Sequence, residues 1–305
     1  MRLTALELLA GVGLDLALGD PQWLPHPVRA IGWWAARLER ALKGMAPRRF
    51  AGVLFWILTV TPSAAFVWGS IALLPRPWIS IYWIYSLLAI RSLDHETSRA
   101  VHRLAEGDLM GASEAIGRVV GRDTGHLDEA GVLRAATETL AENLSDAVVA
   151  PLLYLALGGP VAMAAYKAVN TLDSMVGYKN ELYREFGWFS ARADDWANWI
   201  PARLTAVFIW ICAMCPGLRL RGSVEAALRD AARQPSPNSG WPEAAMAGAL
   251  GVQLGGVNSY RGRESVKAFL GDAVAPLSVG VFGKARGVLY GVAGIAVVLC
   301  WSVSG

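Results

Sequence analysis

Residues 51 to 74, AGVLFWILTVTPSAAFVWGSIALL, run without a charged side chain. A bilayer core demands about 20 predominantly apolar residues of any helix that crosses it, within a range of roughly 17–25. This stretch meets the demand, with Pro62 as an expected kink, and so does the stretch at 287–303. Shorter or interrupted apolar stretches cover 3–18, 78–90, 147–166 and 204–218. The sequence therefore predicts an all-α, polytopic integral membrane protein with about four to six apolar helices and helical polar segments. Composition agrees: apolar residues reach 54% and charged residues only 17%, against roughly 45–50% and about 25% in soluble domains.

No charged or Pro/Ser-rich linker divides the chain, which reads as one integral membrane domain over residues 1–305, with polar, cytoplasmic-type segments at 91–146 and 219–286. A net charge of +3 is too small to imply nucleic acid as a partner. Position matters more. Arg29, Arg37, Arg40, Lys43, Arg48 and Arg49 crowd the loop at 20–50, which the positive-inside bias places in the cytoplasm. Within it, AIGWWAARLERALKGM sets Trp34, Leu38, Ala41 and Met45 on one helical face and Arg37, Arg40 and Lys43 on another, the pattern of a helix lying in the headgroup layer of a lipid bilayer. The N-terminal stretch carries Glu7 and Asp15 and lacks a clear small-x-small cleavage site, so it reads as retained. Cys212, Cys215 and Cys300 lie in apolar sequence and read as small buried hydrophobes, with no disulfide framework.

The most informative polar feature is RAATETLAENLSDAVVAPLLYLALGG, residues 134–159. On a helix with Asp128 as N-cap, Arg134, Glu138, Glu142 and Asp146 repeat every four positions, with Asn143 alongside. One base and three acids leave most of the column unpaired within its own helix. Acidic residues entering a membrane segment face a cavity or a partner. Gly158, Gly159 and Pro160 break helices, so 147–166 either crosses the bilayer or re-enters as two half-helices lining a cavity.

Three further constellations carry chemistry. In YKAVNTLDSMVGYKNE, Lys167, Asn170 and Ser174 share a face beside Asp173, followed by Lys179 and Asn180. An ammonium with hard oxygen donors suits phosphate and Mg²⁺. In SARADDWANWIPARLTA, Asp194, Asp195 and Asn198 sit between Arg192 and Arg203 and can hold a metal-bound polyphosphate or cap a helix. His26, between two prolines in GDPQWLPHPVRAIG, is either structural or a ligand contact near Arg29. In SPNSGWPEAAMAGALGVQLGGVNSYRGR, Asn238, Ser239 and Tyr260 are ligand candidates, and the glycines suit close helix packing. GVFGKARG lacks the Walker spacing and hydroxyl, so a bound nucleotide would not sit in a P-loop.

GDPQWLPHPVRAIG, VVGRDT, AENLSDAVVAPLLY, YKAVNTLDSMVGYKN, GWFSARADDWANWIPARLTA and SPNSGWPEAAMAGALGVQLGG stand in the order seen in the adenosylcobinamide-phosphate synthase family, which the chain resembles from about Asp15 to Arg263. Ala147 stands where a glycine is common, and GVNSY replaces a frequent Gly-Pro version.

The resemblance implies a multi-pass protein of the inner cell membrane that uses ATP and Mg²⁺. It implies an amide ligase of cobalamin biosynthesis joining adenosylcobyric acid, a corrinoid substrate, to (R)-1-amino-2-propanol or its O-phosphate. Association with other membrane enzymes of cobalamin assembly is also implied.

A carboxylate must first become an acyl phosphate or similar anhydride before an amine attacks it, which calls for cationic clamps on phosphate, a metal, and a base. On that reading Asp146, Asp173, Asp194 and Asp195 are expected to bind Mg²⁺, with Asp146 also at the chemistry. Lys167, Lys179, Arg192 and Arg203 would clamp phosphates, Asn143, Asn170, Asn180 and His26 would contact the cofactor, and Glu138 or Glu142 would act as base or orient the aminopropanol. Two other classes compete. A prenyl-type transferase would bind Mg²⁺-diphosphate through NTLDS and RADDWAN, but lacks two cleanly spaced aspartate-rich motifs. An ion-coupled transporter would show an inverted repeat that is not visible.

Overall fold

The computed structural model describes residues 3–21, 23–178, 180–260 and 262–304. In chain order the helices are α1 (Ala5–Leu18), α2 (Pro27–Leu42), α3 (Arg48–Leu73), α4 (Trp78–Leu87), α5 (Ile90–Ala105), α6 (Leu109–Gly117) and α7 (Glu129–Leu144). A π turn, Ser145–Val149, leads into α8 (Ala150–Val176), α9 (Trp188–Ala197), α10 (Trp199–Cys212), α11 (Leu220–Asp230) and α12 (Gly240–Leu250). Strands β1 (Leu254–Tyr260) and β2 (Arg263–Leu270) form an antiparallel hairpin before α13 (Val279–Ser304). Among the described residues, three helical stretches are long and apolar enough to cross a membrane: Arg48–Leu73, Glu129–Val176 and Val279–Ser304. This is a helical membrane protein, and the shorter apolar helices α1, α4 and α10 fall on the remaining apolar stretches of the sequence.

The chain divides into two compact units. The first comprises Met1–Ala89, Ala150–Trp199 and Ala296–Gly305. Its core joins Ile31, Ala35 and Leu42 of α2, Ala51, Phe55 and Val60 of α3, Ala168, Val169, Leu172 and Val176 of α8, and Phe186. Phe55 and Phe186 meet at 5.1 Å between ring centroids. Gly52 lets the chain near Phe186 approach, since a Cβ there would lie 2.0 Å from the Phe186 carbonyl oxygen.

α2 is amphipathic as expected, but its buried stripe is Ile31, Ala35 and Leu42, whereas Trp34 and Met45 are exposed. The helix turns that stripe to the core of the first unit and leaves its tryptophans on the open side. Arg37 stacks over the exposed Trp33 at 3.6 Å.

α8 is broken as the Gly-Gly-Pro sequence requires. Gly158 (φ −146°, ψ 18°) and Gly159 (φ 68°, ψ −166°) leave helical geometry, the second in a region only glycine enters readily.

The second unit comprises Ile90–Val149 and Ile200–Ile295. α11 and α12 pack backbone to backbone: a Cβ on Gly248 would lie 2.1 Å from the Gly222 carbonyl oxygen, and the Ser223 hydroxyl donates to the Ala245 carbonyl at 2.7 Å. Small residues permit that approach. The hairpin departs from the helical expectation for 219–286. Gly255 and Gly256, read as helix-packing glycines, have φ of 84° and 90° and sit at a register shift in β1, where no helix can continue. Cys212 is half-buried and Cys215 exposed, so only Cys300 is the buried hydrophobe expected; all are free thiols.

Asp94 of α5 is buried and anchors α13. Arg286 Nη2 donates to it at 2.9 Å and the Tyr290 hydroxyl at 2.7 Å, with Ser98 at 3.0 Å. Burial works against the charge, but the hydrogen bonds from Arg286, Tyr290 and Ser98 outweigh it and hold the carboxyl at about 2, below the ordinary 3.8. A lowered folded-state value means stability that is complete above the ordinary value and lost as pH falls through the folded one. Thermal unfolding in detergent should therefore show a loss of stability between about pH 4 and pH 2 that is smaller in Asp94→Asn, which starts less stable at neutral pH.

Candidate functional site

The carboxylate column of α7 begins from a cap: Asp128 Oδ1 accepts from the Gly131 N–H at 2.7 Å. Along the helix, Glu138 is buried, Glu142 is exposed and Arg134 is half-buried. Glu138, Glu142 and Asn143 line one cavity of about 110 Å³ in the second unit, together with Arg122 and Lys267. Asn143 Nδ2 donates back to the Thr139 carbonyl at 2.9 Å. Asp146 falls in the π turn rather than on the α-helical column, so the four-residue repeat ends at Glu142. A π turn carries an extra residue, which rotates the rest of the helix about its axis, and such turns recur at functional sites.

Arg122 is the residue that sequence reasoning passed over. Its Nη2 meets Glu138 Oε2 at 2.9 Å, with both side chains buried, and its Nη1 donates to Asn258 Oδ1. The other carboxylate oxygen of Glu138 accepts from the Gly255 N–H at 2.7 Å. The positive φ of Gly255 explains its identity, since a Cβ there would lie 2.1 Å from the Ala268 carbonyl oxygen.

Asp123 ties the loop bearing Arg122 to the hairpin. It accepts from the Ser259 hydroxyl at 2.8 Å and from the Gly262 N–H at 2.7 Å, while its own N–H donates to the Ser259 carbonyl at 2.8 Å. The GVNSY sequence is thus strand, and it holds VVGRDT in place.

Glu243 of α12 is the second residue missed. It is buried and accepts from Gln234 Nε2 at 3.1 Å. Burial, then the negative charge of Glu142, push its carboxyl well above the usual range; Lys267 pulls the other way and Glu138 adds to the rise. Arg122 lies within VVGRDT and Glu243 within SPNSGWPEAAMAGALGVQLGG, and membership of those motifs was the signal available for them. Also in this unit, Arg203 donates to Asn238 Oδ1 at 3.4 Å and stacks over Trp241 at 5.1 Å.

The first unit holds the other constellation. Asn170 Nδ2 of α8 donates to Asp194 Oδ1 of α9 at 3.3 Å. The Tyr166 hydroxyl donates to Asn198 Oδ1 at 2.8 Å. Burial raises the Asp194 carboxyl above its ordinary value against hydrogen bonds from Asn198 and Asn170; the nearby Asp195 adds to the rise and Lys167 opposes it. Lys167, Asn170, Asp194 and Asp195 are therefore neighbours, as the sequence implied. Asp173 lies at the last turn of α8, where its carbonyl accepts from the Gly177 N–H at 2.7 Å. Asn180 is exposed and accepts from the Tyr183 N–H at 3.0 Å, a turn contact. Arg192 is exposed. Lys179 lies outside the described residues.

His26 is the N-cap of α2, its Nδ1 accepting from the Val28 N–H at 3.3 Å and its Nε2 facing Asp20 at 3.1 Å. Both ring nitrogens are engaged locally.

Among the described residues no three His, Cys, Asp or Glu side chains converge as a metal cage. Mg²⁺ does not require one, since it keeps several waters and binds through one or two carboxylates plus substrate phosphate. Asp194 and Asn170, with Asp195 and Lys167 close by, fit that kind of site.

A family model described as CobD/Cbib protein matches residues 8–288. The chain belongs to the CobD/CbiB family. Among its relatives, the cobalamin biosynthesis protein CobD of Geobacter metallireducens is 48% identical, covering 96% of this chain and 94% of that one. The CobD protein of Pelobacter propionicus is 51% identical over 85% and 82%. The cobalamin biosynthesis protein CbiB of Salmonella typhimurium is 43% identical over 87% and 86%. No solved structure matches the chain.

Removing one partner of a buried ion pair costs about 3–5 kcal/mol, because the other charge stays buried and unmatched. Arg122→Met should lower unfolding stability by about that amount. The double variant Arg122→Met/Glu138→Leu should recover most of it, as a double-mutant cycle by chemical denaturation would measure.

Proposed function

We propose that this CobD/CbiB member is an ATP- and Mg²⁺-dependent amide ligase of the cytoplasmic membrane. It would join adenosylcobyric acid to 1-amino-2-propanol or its O-phosphate, giving adenosylcobinamide or its phosphate. The observation that carries the reading is the family match over residues 8–288, on a chain that buries carboxylates beside fixed cations.

Amide formation between a carboxylate and an amine demands activation of the first and deprotonation of the second. ATP with Mg²⁺ would supply the phosphoryl group that makes the propionate electrophilic. Asp194 and Asp195, with Asn170 and Asp173, would hold the metal, and Lys167 would offset phosphate charge. Glu142, exposed at the cavity next to Lys267, would accept the ammonium proton. Arg122 locks Glu138 in place and so keeps α7 in register for Glu142. The oxygen donors of α8 and α9 would hold the metal, and the metal with Lys167 would attract the anionic phosphate.

Purified protein in detergent, given adenosylcobyric acid, aminopropanol phosphate, Mg²⁺ and ATP, should yield adenosylcobinamide phosphate with stoichiometric ADP. Nucleotide turnover that leaves both substrates unjoined would overturn the assignment. Glu142→Gln should lower kcat by about 100-fold, and Asp194→Asn should raise the Mg²⁺ concentration needed for half-maximal rate.

A further inference from the structure

The ligase chemistry makes no use of the motif GDPQWLPHPVRAIG, and in the first unit that motif walls a cavity. His26, Ala30 and Trp34 line it, with Ser63 and Phe66 of α3 and Tyr82 and Trp83 of α4. It measures about 330 Å³, within the roughly 300–1,000 Å³ of ligand pockets.

The polar side chains in its wall have no donor to offer a ligand. Trp34 Nε1 donates to the Leu58 carbonyl at 2.9 Å, the carbonyl that Pro62, lacking an N–H, leaves without its helical partner. Trp83 Nε1 donates to the Ser70 hydroxyl at 2.8 Å, the Ser63 hydroxyl to the Thr59 carbonyl at 2.7 Å, and the Tyr82 hydroxyl to the Pro25 carbonyl at 3.3 Å. His26 accepts from the Val28 N–H through Nδ1, which puts its ring proton on Nε2, toward Asp20 at 3.1 Å. A nucleotide, a phosphate or an amide seated here would leave its polar atoms unmet, at a cost. Hydrocarbon would not, and an apolar cavity stays dry and takes up apolar ligands.

Place decides which hydrocarbon. α3 is long and apolar enough to cross a bilayer, and its Phe66, edge-on to Trp83 at 6.0 Å in the cavity wall, is 69% exposed. The cavity therefore opens onto a surface that lipid tails touch. Beside it, Arg29 is exposed in the turn between the lining residues Pro27 and Ala30, its Nη2 held to the Leu24 carbonyl at 3.0 Å. An apolar chamber with a cation at its edge matches a lipid tail and its phosphate.

Independently of the ligase reading, we propose that this cavity binds one anionic phospholipid, with an acyl chain inside and the phosphate at Arg29. The chain fills the space that α2, α3 and α4 leave open, so lipid is part of the packing of the first unit. The motif is then a lipid clasp, and His26 is a wall residue of that clasp.

Native mass spectrometry of the full chain, after exchange into a detergent without alkyl chains, tests this. Wild-type protein should keep one phospholipid per chain from the host membrane. Ala30→Trp and Ser63→Phe, which fill the cavity from two different helices, should lose it. Ala41→Trp, exposed on α2 outside the cavity, should keep it. Returning lysophosphatidylglycerols to delipidated protein should show affinity falling about fourfold for each methylene removed. Glycerol phosphate, with no chain, should not bind, which separates a lipid from free phosphate. Arg29→Ala should weaken phosphatidylglycerol roughly fivefold; unchanged affinity there would remove the phosphate from Arg29. Wild-type protein that emerges without lipid, or lipid retained by both cavity-filling variants, would overturn the proposal. Should those variants fail to fold, the chain-length series on wild-type protein decides the matter, and an affinity indifferent to chain length counts against a tail in the cavity.

Discussion

The buried pair of Arg122 and Glu138 governs the second unit. Withdrawing two charges from water costs several kcal/mol each, and their mutual attraction offsets this only when geometry is good and the leftover donors and acceptors are met. Here Glu138 has both oxygens occupied, one by Arg122 and one by the Gly255 N–H. That arrangement requires the left-handed backbone of Gly255, the Asp123 clip between loop and hairpin, and α7 in one register. A loop, a hairpin and a helix are thus fixed by one ion pair. Glu142, one turn along α7, inherits a defined position from it.

The long apolar runs were legible because span length is a demand of the bilayer rather than of tertiary packing: α3 and α13 lie where hydropathy put them. The Asp128 cap and the break at Gly158–Gly159 were legible for a similar reason, since each depends on local backbone chemistry. Tertiary choices were not. The face that α2 turns inward, Ile31, Ala35 and Leu42, carries no tryptophan and is not the one its pattern draws attention to. The hairpin was hidden because Gly255 and Gly256 look like residues that let helices approach, and only their positive φ separates the two uses.

The carboxylate column shows the same division. Its spacing placed Glu138 and Glu142 on one cavity, as a helical repeat should. The π turn then took Asp146 off the repeat, and no spacing rule announces a π turn. Arg122 and Glu243 escaped because each is a single charged residue in polar or small-residue sequence, where solvent exposure is the ordinary expectation. Their burial becomes visible only once the hairpin and α12 close over α7. Pairing of Asn170 with Asp194 was legible in type but not in detail, since it joins two helices separated by a long connection.

Tyr154 and Tyr166 stand on opposite sides of the break in α8, their rings stacked with centroids 4.9 Å apart. One hydroxyl reaches the carbonyl of Ala197 and the other the side chain of Asn198, successive residues at the end of α9. A chain interrupted by two glycines would ordinarily behave as a swivel. The paired rings act as a latch across it, so that the two segments turn together with α9 as one lever, and the Asn170–Asp194 contact rides on that lever rather than on a free hinge.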